Sequence, residues 1–150
     1  MEGMKEEIRK KKKEGWIEAM FSIEVLAIKE EVVRDSLSKH TDELGKVLGV
    51  FVYEKTFSDS TLVKNPLKGV EEAYSQIANI RFFVKDVMTL VSLAITYGPS
   101  SIEIFSPNEK NISMSDLQNM MNLISGVIHQ FAAAGMGGIV IAPSKSREQK

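Results

Sequence analysis

Residues 17–28 repeat with a period of two, since one set of alternate positions is apolar throughout and the other set is mixed, and this is the clearest pattern in the chain. Every odd position from Ile17 to Ala27 is apolar, whereas the even positions include Glu18 and Glu24. A period of two is typical of a β-strand with one buried face. A helix over the same residues would place Glu24 on its apolar side, where an unpaired carboxylate is costly. The pattern therefore favours a strand, with a helix as the alternative.

The rest of the chain predicts further helices and strands. Segments rich in β-branched and aromatic residues indicate strands, and apolar residues at three- and four-residue spacing indicate helices. The segment 58–69, with Asn65, Pro66 and Gly69, is typical of a turn-rich connection. In chain order the predicted elements are strand 17–28, helix 29–44, strand 47–57, strand 74–85, helix 87–96, strand 101–106, a helix between Ser115 and Gly135, and strand 138–142.

Several residues are placed to begin or end these helices. Asp86 is a good N-cap for the helix that follows it, and Gly98 can adopt the left-handed conformation that ends a helix. Ser115 and Gln118 match the capping box S-x-x-Q. The helix 87–96 is apolar on nearly all sides, so we expect more than one of its faces to be covered.

The order of elements predicts an α+β fold. A β-α-β-β-α-β order is that of a ferredoxin-like two-layer sandwich, here followed by a C-terminal α-β extension. We expect a basic, flexible N-terminal tail at residues 1–15, a single domain over residues 16–143 and a flexible tail at residues 144–150.

Composition and charge narrow the possible functions. The chain has 150 residues and no cysteine, which excludes disulfides, thiolate zinc sites and cysteine nucleophiles. Residues 1–14 and 144–150 each carry a net charge of +2, which leaves about −5 on the body between them. An acidic body is a poor match for a nucleic-acid platform. A nucleic-acid partner is therefore not expected.

No stretch of the sequence indicates membrane insertion or export. Apolar runs fall short of the roughly 18–20 residues that span a bilayer. The basic run Arg9–Lys13 is not followed by the apolar segment of a signal peptide. The expectation is a cytoplasmic protein with no membrane association.

The residues most often found in catalytic and metal sites form no recognisable pattern here. His40 and His129 lack metal-ligand spacing, and we expect no metal site, no cofactor and no catalytic residue. The glycines between residues 135 and 138 follow a helix and precede a strand. Phosphate-binding loops run in the opposite order, so these glycines predict a cap and a tight turn.

Two further patterns are candidates for binding surfaces. Arg81, Phe82 and Phe83 put a cation beside aromatic residues on one strand, but without the basic-Gly-aromatic pattern of RNA-recognition domains. The methionines Met114, Met120, Met121 and Met136 could form a promiscuous binding surface. At helical spacing they are more often part of a core.

One stretch of the chain resembles a known family. Residues 77–107 combine a strand, an Asp-led helix ending in Tyr97-Gly98-Pro99, and a strand that contains Glu103-Ile104 and ends at Pro107. This stretch resembles part of the C-terminal extension of WYL-type transcription regulators. The resemblance implies a ferredoxin-like fold and a role in assembly. The chain departs from that family because it lacks a winged-helix segment and a Trp-Tyr-Leu motif.

The sequence therefore favours a non-enzymatic regulatory or assembly module that forms homo-oligomers. One alternative is a sensing domain that binds a small-molecule metabolite. The other is a protein that associates with nucleic acid through its basic tails.

Overall fold

The computed structural model describes residues 2–135, and these residues form four helices and five strands. In chain order they are α1 (Glu2–Lys13), β1 (Ile17–Ala27), α2 (Glu30–Gly45), β2 (Val50–Phe57), β3 (Thr61–Leu67), β4 (Val70–Val84), α3 (Val87–Tyr97), β5 (Ser101–Ser106) and α4 (Met114–Ala133).

The strands form one antiparallel sheet in the order β2-β4-β1-β5, with β3 also paired to β4. Ignoring β3, the elements from β1 to β5 follow the predicted β-α-β-β-α-β order. The α+β class is therefore confirmed, and so is the assignment of residues 17–27 to a strand.

The core lies between the sheet and the two helices α2 and α3. Alternate residues of β1 and β4 point towards these helices, as the strand period requires. Leu37 and Leu44 from α2, and Leu90 and Leu93 from α3, complete the cluster. The strand residues in it are Ile17, Ala19, Phe21, Ile23, Ala78, Ile80, Phe82 and Val84. On α3 only Leu90 and Leu93 are buried, whereas its other apolar side chains are half-buried.

The prediction of a turn-rich connection over residues 58–69 is wrong for most of that segment. It contains β3, which forms a hairpin with the first half of β4 through a turn at Lys68-Gly69. Asn65 has a φ of 53°, and the pairing register shifts between Lys64 and Leu67. Pro66 lies within this irregular stretch, where a missing N–H donor is tolerated.

The N-terminal segment is helical where the sequence predicts a flexible tail. Over α1, Glu6 pairs with Arg9 at 3.1 Å and Glu7 pairs with Lys11 at 3.6 Å, one turn apart. Such pairs stabilise a helix by about 0.2–0.5 kcal/mol each. The Lys11 ammonium also lies 4.2 Å from the centroid of the Trp16 ring, which adds a cation–π contact.

The helix ends confirm two predictions and correct a third. The Asp86 carboxylate accepts a hydrogen bond from the Thr89 N–H at 2.8 Å, and Gly98 is left-handed with a φ of 53°. For α4 the N-cap is Ser113 rather than Ser115, because the Ser113 hydroxyl accepts from the Asp116 N–H at 3.0 Å. The acidic residue that follows at N3 is favourable near the helix N-terminus.

The chain divides into two compact units, residues 1–111 and residues 112–150. The first unit contains the whole sheet with α1, α2 and α3. Helix α4 belongs to the second unit. The predicted strand at 138–142 and the predicted tail at 144–150 lie outside the described residues.

Candidate functional site

The sheet has a second face, opposite α2 and α3, which carries a mixture of polar and aromatic side chains. Residues of β1 and β4 that alternate with the core residues point to this face. The Ser22 hydroxyl donates to the Asn79 amide oxygen at 2.6 Å across the two strands. The side chains from these two strands are Glu18, Met20, Ser22, Glu24, Ile77, Asn79, Arg81 and Phe83. We call this surface the second face of the sheet.

Two β-bulges interrupt the strand pairing beside this face. On β2 the register with β4 shifts between Val52 and Glu54, so Tyr53 is the extra residue. On β5 the register with β1 passes from Ile104 to Ser106, so Phe105 is the extra residue. A bulge bends its strand and redirects a side chain. Both extra residues are aromatic.

Both bulge residues contact the same cation, Arg81 in the long strand β4. The guanidinium carbon of Arg81 lies 4.4 Å from the centroid of the Phe105 ring and 5.9 Å from that of Tyr53. Distances within about 6 Å are those of cation–π contacts, worth about 0.5–1 kcal/mol when exposed and more when shielded from water. The two bulges thus place one aromatic ring from each side against the guanidinium.

Arg81 is not neutralised by a close ion pair within the first unit. Among residues 2–111, no carboxylate oxygen lies within 4.0 Å of the guanidinium. Its Nε is shielded from solvent and has no hydrogen-bond acceptor there. Glu54 pairs with Arg81 in the strand register, yet its side chain is exposed. Aromatic rings rather than a carboxylate therefore hold this side chain in place.

A buried carboxylate lies at the α1 end of the same face. The Tyr53 hydroxyl donates to Glu18 Oε2 at 2.5 Å, and the Lys12 ammonium lies 3.8 Å from Glu18 Oε1. The Glu18 side chain is only 11% exposed. The Tyr53 ring also packs against Phe83, with the ring centroids 5.4 Å apart. Tyr53 thus links the carboxylate to the ring cluster around Arg81.

The burial of Tyr53, together with its hydrogen bond to Glu18, predicts that the stability of the fold depends on pH in the alkaline range. Burial, then the bond to Glu18 and its charge, raise the pKa of Tyr53 to about 12. The folded state therefore retains the phenolic proton more tightly than the unfolded chain, whose tyrosines titrate near pH 10. The stabilisation is complete below about pH 10 and is lost as the pH rises through about 12.

We therefore expect Tyr53→Phe to flatten the loss of stability between pH 9 and 11.5, measured by urea unfolding at each pH. Tyr97→Phe is the comparison, because burial also raises the pKa of Tyr97 and Glu43 adds to the effect. The larger change in slope should belong to Tyr53→Phe. Equal slopes for Tyr53→Phe and the wild type would contradict the interpretation.

Helix α4, in the second unit, has a separate apolar surface. Six apolar residues follow one another at steps of three, four, three, four and three positions, which is the spacing of a coiled-coil seam. Five of them are exposed, among them Met121 at 58% and Ile128 at 40%. The six residues are Met114, Leu117, Met121, Ile124, Ile128 and Phe131. We call this stripe the α4 seam.

The two histidines and the pair Arg81 and Phe82 lie in different parts of the structure. His40 packs on Tyr97, with Nε2 3.3 Å from the Tyr97 carbonyl oxygen and the ring centroids 4.8 Å apart. His129 is exposed on α4. Phe82 points into the core, whereas Arg81 points to the second face.

The predictions for the methionines and for the glycines after α4 agree with the structure only in part. The interpretation of the methionines as core is right for Met120, which is buried, and wrong for the exposed Met114 and Met121. Gly135 has a φ of 72°, in keeping with a helix-ending position. Met136 and the later glycines lie outside the described residues.

Two structural features are absent from residues 2–135. No group of three or more His, Asp or Glu side chains there is arranged to hold a metal ion. No helix in the same part of the chain has the length and apolar character needed to cross a bilayer.

The pattern of the sequence does not predict the cluster around Arg81. Tyr53 and Phe105 stand 28 and 24 residues from Arg81 along the chain, and a period-two pattern contains no sign of a bulge. The available signal was the run of aromatic residues in β2, which includes Phe51, Tyr53 and Phe57. It indicated a strand but not which side each ring would take.

Comparison with known proteins identifies one matching family model. No curated protein and no solved structure matches the chain. The model of the MJ0538 family matches residues 18–149, which include every strand of the sheet, apart from the first residue of β1, and the whole of α4. The chain therefore belongs to the MJ0538 family.

Proposed function

We propose that this protein is a non-enzymatic assembly module whose two copies pair through the α4 seam. In this proposal the first unit is a ferredoxin-like scaffold, and α4 is the self-association element. The observation that carries the proposal is the heptad spacing of the seam together with its exposure to solvent.

The composition of α4 supports a second copy as the partner. Asp116 is the only Asp, Glu, Lys or Arg residue between Met114 and Ala133. A surface without charge has no preference for a partner of opposite charge. It can meet an identical surface without repulsion, as an isologous two-fold interface requires.

The geometry of the seam also suits helix pairing. Side chains that repeat every 3.5 residues on average stay on one side of a gently supercoiled helix, where they can insert between residues of a facing helix. The side of α4 opposite Ile124 is polar and carries Ser115, Asn119 and Asn122. Such a helix has one apolar stripe to bury and one polar side to leave in water.

The test is the molar mass of the full chain measured by light scattering over a range of concentrations. We expect a mass of about twice the 16.7 kDa of the monomer at high micromolar concentration, falling towards the monomer value on dilution. A strict monomer throughout the range would reject the proposal. A mass that does not respond to substitutions in the seam would reject α4 as its interface.

A further inference from the structure

The cluster around Arg81 has the features of a site that receives an anion. The guanidinium is fixed between Phe105 and Tyr53, so little side-chain entropy remains to be lost on binding. Within residues 2–111 it has no carboxylate in contact. Arg81 is partly exposed as a whole residue, although its Nε is shielded. A terminal nitrogen of Arg81 also lies near the Tyr53 hydroxyl, and the remaining N–H groups of the two terminal nitrogens are the part available to a ligand.

The surroundings of Arg81 favour a singly charged, planar anion. The register puts the exposed Glu54 opposite Arg81 on β2, and Glu103 of β5 lies on the same face, opposite Met20. These carboxylates repel a dianion more strongly than a monoanion. The fork of a guanidinium matches the two oxygens of a carboxylate, and flat aromatic walls suit an apolar group attached to it.

We propose that Arg81, with Tyr53 and Phe105 beside it, forms a binding site for the carboxylate of a small organic molecule. The Nη1 and Nη2 groups hold the two carboxylate oxygens end-on. The rings of Tyr53 and Phe105 keep the guanidinium oriented and offer apolar surface to the rest of the ligand. All three residues belong to the first unit, and their binding of a carboxylate is proposed separately from the pairing of α4.

The experiment titrates sodium benzoate into the ¹⁵N-labelled full chain at constant ionic strength, and follows the arginine Nε–Hε signals by NMR. Because Nε of Arg81 is shielded from solvent, its proton should exchange slowly and give a resolved signal. We expect this signal to move saturably, with a dissociation constant on the order of millimolar, as suits one charge-assisted contact. The signal of the exposed Arg34 should not saturate.

Substitutions distinguish a specific binding site from nonspecific electrostatic attraction of the anion. Arg81→Lys keeps the charge but loses the fork, and should weaken benzoate binding by about tenfold, whereas Arg34→Lys should not change it. Glu54→Gln removes a nearby negative charge and should strengthen binding about two- to threefold. Its matched control, Glu71→Gln, is an exposed change at the far end of β4 and should have no effect.

Three results would overturn the proposal. The first is a benzoate response that does not saturate in the wild-type protein. The second is unchanged binding in Arg81→Lys together with unchanged binding in Glu54→Gln, which does not depend on how well the arginine variant folds. The third is tighter binding of inorganic phosphate than of benzoate at the same ionic strength, which would exclude a carboxylate as the preferred group.

Discussion

Replacing Phe82 by alanine is expected to lower the free energy of unfolding by about 3–5 kcal/mol, because a large side chain is removed from a closed core. Phe82 is fully buried and meets the Phe21 ring edge-on, with the ring centroids 4.9 Å apart. Truncation leaves a cavity between the sheet and α2, and also removes the aromatic pair. Typical domains have only about 5–15 kcal/mol of stability in total.

Phe57→Ala is the matched control for this prediction, since it makes the same chemical change at a side chain that is 45% exposed. Its expected cost is below about 1.5 kcal/mol, because nearly half of that residue's surface is already in contact with water. Urea unfolding followed by circular dichroism gives both values if the slopes with denaturant agree. Equal losses for the two variants would show that Phe82 does not lie in the main core.

Ile128→Glu is expected to weaken self-association by at least about 100-fold, which corresponds to about 2.7 kcal/mol. A symmetric pair of α4 helices would bury two introduced carboxylates, one from each copy, with no cation in the seam to neutralise them. Glutamate is itself a good helix former, so α4 should keep its conformation. The measurement is the mass obtained by light scattering or by sedimentation equilibrium across concentrations.

Asn122→Glu provides the control on the same helix. Asn122 lies on the side of α4 opposite Ile124, so the added charge stays in water and association should be unchanged. If both variants weaken association equally, net charge rather than the seam is responsible. If neither variant does, the two copies pair through another surface.

The parts of the fold that were predicted correctly are those encoded locally. The alternation from Ile17 to Ala27 identifies β1 because each side chain reports its own side of the strand. Asp86 and Gly98 mark the ends of α3 because each satisfies a backbone requirement that only a few residue types can meet. These signals depend on residues within a few positions of one another.

The features that the sequence does not predict depend on pairing between strands or on ion pairs between neighbouring residues. Strand β3 contains Asn65 and Pro66, which normally indicate a loop, and it is a strand only because β4 continues far enough to pair with it. Helix α1 differs from the predicted tail because acidic residues one turn away pair with its cations, as Glu6 does with Arg9 and Glu7 with Lys11. The Arg81 site requires two bulges, and a bulge has no periodic signature.

Strand β4 has a consequence for the order in which the chain can fold during synthesis. It is the partner of β1, β2 and β3, and in the described chain no two of those three strands pair with each other. The other partner of β1 is β5, which follows β4 in the chain. Until Val70–Val84 has been translated, the nascent chain therefore carries three strands without one native strand pair. Translation proceeds at about 5–20 residues per second, so the apolar side of β1 must wait seconds for its partner. A pause or truncation before Val70 would leave these strand edges free for contacts with other chains or with chaperones.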